Sequence, residues 1–356
     1  MKISLMQPVS TNWFRRYAMR LAFISGLVAI ASLIAWANDT AVVAVSGNIA
    51  PMGSHPSIRM ISERVEAKLG WDTAAVRCEF IFKNEGKATT VKIGFPEQAY
   101  GDVSPIKQSS FVSFKSWVDG KPAKTKFMPS KEEEDAGVTY NAWHIKEVPF
   151  AAGQTRKVTN EYTATLGVDS MGGVFFDYVL RTGKSWKGTI GDALIIVDVS
   201  TPSKFYDVQP SPKGYRLKGG KLEWKFHDFE PDQNILVRLE PPKVLLNDRA
   251  VVLADPEGFA RGGIHMASAR YLEQAVKISW DPKTKDCVFA IDDHTLRVRA
   301  GATKATLDGA RELELPRAPF VDRSGQLIIP IAAVVELLGG SVESGPGKRD
   351  LKMRIP

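Results

Sequence analysis

The chain reads as mainly β: an antiparallel β-sandwich region followed by a smaller α+β module, in which a twisted antiparallel sheet packs on short helices. Three observations carry this. From Glu63 onward apolar residues recur at every second position, the period of half-buried strands. No stretch of the middle region sustains a helical period, and Gly, Pro and Asn clusters separate the apolar runs. After Pro241-Pro242 the texture changes, and residues 278–291 can be laid on residues 342–355. At 356 residues, 44% hydrophobic and 24% charged, the chain is long enough to bury a core, and its composition excludes disordered, collagenous and multi-span membrane classes.

Residues 1–37 have the order of a secretory signal peptide. Lys2, Arg15, Arg16 and Arg20 precede an uncharged apolar run over 21–37 that ends in Ala35-Trp36-Ala37. The small residues at 35 and 37 predict cleavage between Ala37 and Asn38. If retained, the run is at the lower limit for crossing hydrocarbon and acts as a membrane anchor. On either reading the remainder is exported to the periplasm, cell surface or extracellular space. Arg15-Arg16 is a weak twin-arginine signal, because Phe14 stands where Ser or Thr is usual. Four of the 47 bases lie in this acid-free leader, so 43 face 40 acids in the rest, and the net charge of +7 implies no basic face for nucleic acid.

Residues 38–59 read as a linker with one early strand, 60–245 as the sandwich, 246–260 as a second linker and 261–356 as the α+β module. Within the sandwich, Val65, Ala67 and Leu69 alternate with charges, and Val76, Cys78, Phe80 and Phe82 repeat the pattern. Asn84-Glu85-Gly86-Lys87 is turn chemistry ahead of Val91, Ile93 and Phe95, which predicts a hairpin between those two segments. Further strands are expected over 111–118, 156–164, 193–199, 222–226 and 235–239. A seam at 167–173 allows two packed subdomains. Cys78 and Cys287 fall in different parts and read as buried thiols rather than a disulfide framework.

In the module, Cys287, Phe289 and Ile291 align with Leu351, Met353 and Ile355, so one strand face is apolar in both aligned segments. Ahead of the second, Pro330 opens a short helix with Ile331, Val334, Val335 and Leu338 as its stripe, and Gly339-Gly340 closes it. A weaker helix is expected over 267–274. Strands at 296–299, 305–307 and 312–315 surround an Asp308-Gly309 turn. Helices this short are stable only when packed on a sheet.

Over 261–356 the chain resembles the copper amine oxidase N-terminal-like stalk domain. The marks are the turn from Trp280-Asp281-Pro282 to Lys285, the Leu307-Asp308-Gly309 hairpin, and Leu327-Ile328-Ile329-Pro330 leading into the helix. Ser344-Gly345 replaces the usual Trp-Asp in the second turn. The resemblance implies a twisted antiparallel sheet wrapped on a helix, attached to exported bacterial proteins. It implies no copper chemistry, since the catalytic domain is absent: His55, His144, His227, His265 and His294 are scattered, and Asn160-Glu161-Tyr162 has the wrong order for a quinone-forming tyrosine. Residues 60–245 resemble an uncharacterised class of exported bacterial domains with a Phe-x-Phe-x-Asn strand, here Phe80 to Asn84, before a Gly-Phe-Pro strand, here Gly94 to Pro96.

No nucleophile elbow, zinc-protease helix or phosphate loop is present. Ser170 before a glycine turn, with His144 or His227 as base, is the weak nucleophile candidate, and the acids at 132–135 read as a solvated tip. No catalytic residue, metal ligand or cofactor is therefore assigned. The tryptophans are the remaining signal, because flat apolar faces with polar rims hold sugars. Trp143 and Trp186, with Tyr140 nearby, are the candidate platform. The expected function is a secreted, non-enzymatic cell-envelope protein that binds or scaffolds through the sandwich, with cell-wall or extracellular polysaccharide or envelope proteins as partners. It contacts a membrane only through an uncleaved leader. The alternative is an exported hydrolase of wall or matrix polymers using carboxylates in the sandwich.

Overall fold

The computed structural model describes residues 40–45, 48–51, 55–99, 108–129, 134–135, 138–169, 173–345 and 349–356. The expected cleavage point at Ala37 and Asn38, and Ser170, lie outside them. The first part runs β1 (Thr40–Val45), β2 (Asn48–Pro51), β3 (Ile58–Leu69), β4 (Thr73–Asn84), β5 (Thr89–Ala99), β6 (Ser113–Val118), β7 (Lys121–Pro122), β8 (Lys126–Pro129) and β9 (Glu134–Asp135). It continues through β10 (Val138–Phe150), β11 (Thr155–Thr165), β12 (Gly167–Val168), β13 (Val174–Tyr178), β14 (Ile190–Asp198), β15 (Asp207–Ser211), β16 (Arg216–Lys218), β17 (Lys221–Phe229) and β18 (Ile235–Glu240).

An eight-stranded sheet, in the order β16-β17-β14-β3-β4-β11-β6-β7, is the backbone of the sandwich. Two smaller sheets pack on its inner face: β2-β1-β5-β10-β8 with β9 on β10, and β12-β13-β18-β15. Phe95 meets Tyr162 across the first interface at 5.3 Å, and the Tyr178 hydroxyl donates to Glu63 across the second. The alternation read in β3 and β4 is what builds this layer. Val65, Ala67, Leu69, Val76, Cys78, Phe80 and Phe82 turn inward into a single core that reaches from Ile58 to Leu239, while Arg64, Glu66, Lys68 and Arg77 face out.

Two expectations are corrected, and one long strand falls where none was expected. The 76–82 and 91–95 segments do not form a hairpin: β4 pairs with β3 and β11, whereas β5 pairs with β1 and β10. The Asn84 turn carries the chain from one sheet to the other. Its buried carboxamide donates to Lys87 O and Ala151 O and accepts from Gly86 N–H, tying the crossing to the far end of β10. The sheet is not wholly antiparallel, since β14 lies parallel to β3. Finally β10, at 13 residues, carries no period-two signal, because Ala142 to Lys146 are buried on both faces.

The second part holds β19 (Val244–Leu246), β20 (Arg249–Ala250), β21 (Leu253–Ala254), α1 (Pro256–Gly262), β22 (Met266–Ser268), β23 (Lys277–Asp281), β24 (Asp286–Ile291), β25 (His294–Arg299) and β26 (Lys304–Leu307). It ends with β27 (Arg311–Glu314), β28 (Phe320–Val321), β29 (Leu327–Pro330), α2 (Ile331–Leu337), β30 (Ser341–Ser344) and β31 (Leu351–Arg354). Ile331, Val334, Val335 and Leu338 are buried in a second core with Cys287, Phe289, Leu351 and Met353. Gly339, at φ +81°, and Gly340 end α2 as expected, and a Cβ at Gly340 would stand 2.4 Å from Arg354 O. The weaker helix is a 3-10 turn over Ala269–Gln274 preceded by β22, not an α-helix. The expected linker at 246–260 is also structured: it contains β20, β21 and α1, and Val251 lies in the second core.

Residues from α1 and the last turn bond back to the sandwich. Phe259 enters the first core edge-on to Phe205 at 5.1 Å. The Arg349 guanidinium donates to Ser203 O, Tyr206 O and the Asp207 carboxylate at 3.3–3.4 Å. No helix among the described residues is long and apolar enough to cross a membrane.

Candidate functional site

The proposed aromatic platform does not reach the surface. Trp143 is 0% exposed and Trp186 1%, so neither offers a ring face to a sugar. Trp143 follows Ala142 on doubly buried β10, and Trp186 packs on Phe82 at 4.4 Å and beside His55 at 6.3 Å. The backbone of Tyr140 lies on β10 opposite Gln98. The spacing that put Trp143 beside His144 was a strand alternating between two covered faces. Trp224 is also interior, its indole N–H donating to Pro212 O at 2.9 Å, whereas Trp280 is 38% exposed.

Sequence reasoning missed a set of polar groups inside the sandwich. Glu97 of β5 and His144 of β10 are buried, with Glu97 Oε1 2.5 Å from His144 Nε2. Ser109 donates to the same carboxylate oxygen, and Ser110 gives Oε2 both its N–H, at 2.8 Å, and its hydroxyl, at 2.7 Å. Burial opposes charge on Glu97, but the bonds from His144, Ser109 and Ser110 outweigh it and hold the carboxyl below the usual range. Phe114 stacks on the imidazole at 4.1 Å and 15°. Serine, glutamate and imidazole thus meet, but not as a relay. Both the Ser109 hydroxyl, at 3.3 Å, and Glu97 approach the same ring nitrogen, where a triad needs base and orienter on opposite nitrogens.

Deeper in, Lys146 Nζ donates to Asn160 Oδ1 at 3.2 Å and Ser116 donates to the same oxygen at 2.8 Å. Tyr178, wholly buried, donates to Glu63 at 2.8 Å beside Cys78, and its hydroxyl is held well above the usual tyrosine range, first by burial and then by the neighbouring Cys78 and Glu63. These groups fix how the inner faces meet, since a buried polar group is stable only with its partners in register. Neither cysteine is in a disulfide, and both are buried. Burial pushes the Cys287 thiol up to about 12, which leaves it a protonated core side chain. Among the described residues no group of three or more His, Cys, Asp or Glu is placed to hold a metal ion.

Among the described residues, one open feature is a trough of about 540 Å³ on the outer face of the eight-stranded sheet. Alternating side chains from β17, β14, β3, β4, β11 and β6 line it, among them Arg64, Lys68, Arg77, Lys115, Glu161 and Lys221. A second hollow, about 810 Å³, lies where Trp71 and Asp72 of the β3–β4 turn approach Asp255, Glu257, Arg317 and Phe320. There Arg317 pairs with Asp255, whose other oxygen caps α1 by accepting from Gly258 N–H.

In the C-terminal module the two aligned segments fold as hairpins of identical register. Ile278 faces Phe289 and Trp280 faces Cys287 in one; Val342 faces Met353 and Ser344 faces Leu351 in the other. The Asp308-Gly309 turn, at φ +51° and +71°, joins β26 to β27, and β29 runs into α2. Residues 246–353 match the family model of the copper amine oxidase N-terminal domain. The resemblance drawn over 261–356 therefore holds and extends upstream, consistent with Leu246 and Val251 in the second core. No curated protein matches the chain.

Solved structures similar to it include a Legionella pneumophila protein with a proposed nutrient-binding role, at 20% identity and TM-score 0.46, covering 59% of this chain and 73% of that one. Another is a mutant two-domain M1 zinc metallopeptidase bound to L-tryptophan, at 9% identity and TM-score 0.29, covering 57% of this chain and 48% of that one. A third is a mutant M1 zinc metallopeptidase of Deinococcus radiodurans bound to a Tyr-Ser-Ala substrate, at 8% identity and TM-score 0.27, covering 71% and 50%.

Proposed function

We propose that this is an exported, non-enzymatic envelope protein that binds through its sandwich, with the C-terminal module holding the sandwich for presentation. The observation that carries the reading is the junction. Phe259 is sunk into the sandwich core and Arg349 bonds to three acceptors across the boundary, so the module can orient the sandwich instead of trailing from it. The open eight-stranded face then serves as a rigid platform, with loops and outward side chains as the contact groups. The match to a copper amine oxidase N-terminal domain supports a non-catalytic module at this position.

Residues 38–356, incubated with purified cell-wall material, are expected to co-sediment with it and to release no soluble fragments. Steady release of fragments, abolished by substituting one acid of a surface hollow, would overturn this reading in favour of the hydrolase.

A further inference from the structure

Strand register aligns two rows of side chains along the trough. Lys221, Asp198, Lys68, Ala75, Thr163 and Ser113 stand in one cross-strand row. Glu223, Ile196, Glu66, Arg77, Glu161 and Lys115 stand in the next. Each row crosses six strands, about 24 Å at the usual inter-strand spacing. Ala75, Thr163 and Ser113 give the first row a low floor over three adjacent strands, and the charged side chains rise around it.

The cations differ in how they are engaged. Arg77 pairs with Glu161 and Glu79, and Arg64 with Glu66. Lys68, Lys115 and Lys221 are exposed and form no ion pair among the described residues. Lys68 and Lys221 flank Asp198 in the row, but that carboxylate already takes the Ser200 hydroxyl at 2.6 Å and N–H at 3.0 Å on one oxygen. Three ammonium groups thus border a floor that carries two hydroxyls.

We infer that the trough takes an anionic polysaccharide, a polymer of sugar units bearing carboxylates, laid across the strands. Its carboxylates would meet Lys68, Lys115 and Lys221. Its hydroxyls would meet Ser113, Thr163 and the carboxylates of Glu161 and Asp198, which accept from neutral donors. A nucleic acid would find no stacking platform among the described lining residues, since the aromatic one, Tyr162, is buried. A peptide strand would find no edge here, because the backbone of these central strands is already paired on both sides.

This inference rests on the proposed binding role, and the test separates the two. Residues 38–356 are titrated with polygalacturonate, with its fully methyl-esterified form, and with poly-glutamate. Binding of polygalacturonate that falls with added salt and weakens about tenfold in a Lys68→Gln/Lys115→Gln/Lys221→Gln variant is the expected result. An unchanged thermal midpoint shows that variant folded, and Lys68→Glu alone should weaken binding in the same direction. Equal binding of the esterified polymer, untouched by the triple substitution, overturns the inference and leaves the binding role standing. Preference for poly-glutamate, lost in the variant, overturns the saccharide in favour of an acidic peptide. Failure to bind any of the three overturns the inference, and failure on wall material as well removes the binding role with it.

Discussion

Glu97 and His144 sit among aromatic rings in the sandwich, where a lone charge would be costly, and their stability depends on Ser109 and Ser110 completing the carboxylate's bonds. Because the Glu97 carboxyl is held below its ordinary range, its stabilising contribution is complete above that range and fades as the pH falls through the depressed folded value. Glu97→Gln is expected to cost about 2–4 kcal/mol at neutral pH. The gap from the wild type should narrow below about pH 4, as read from thermal melts across pH. A gap that widens in acid would show the sign to be wrong. Phe259→Ala should cost about 3–5 kcal/mol through the cavity left beside Phe205, measured by urea unfolding. At this scale the sequence was least legible. It marked His144, Trp143 and Trp186 as a cluster of interesting types, but which face of a strand is covered depends on partner sheets contributed from distant segments.

Period two was legible in β3 and β4, where one face is buried and the other solvated, and in β11 outside its buried middle; the α2 stripe with its closing glycines was equally plain. It failed in β10, whose middle is covered on both faces and so loses alternation. The Asn84 turn had hairpin chemistry yet serves a crossing between sheets, because its carboxamide bonds to Ala151 O, a partner far along the chain. Asn84→Ala leaves two carbonyls without this donor and is expected to cost about 2–3 kcal/mol. Loss of amide protection should begin at the start of β5 and the end of β10, by hydrogen exchange. In the module, Gly340→Ala forces a methyl against Arg354 O and Val335, so α2 and β31 must separate. The expected cost is about 1–3 kcal/mol, seen as a lower melting temperature of the whole protein.

Over the whole molecule, two cores meet at a junction made by Phe259 and Arg349. The family resemblance located the second core from the Trp280 turn and the strand into α2, while the junction stayed illegible because Phe259 lay in a segment that read as a linker. Intact, the two parts are expected to melt together; Phe259→Ala combined with Arg349→Ala should split the calorimetric transition into two. If binding works by presenting the open sheet, ligand contact should fall on the outward side chains of the eight-stranded sheet. The most direct measurement is hydrogen exchange on residues 38–356 with and without bound wall polymer. Slowed exchange over β3, β4, β6 and β11, with the polymer recovered at its original length, is the predicted result. Protection confined to the hollow around Trp71 and Asp255, or polymer shortened during incubation, would contradict it.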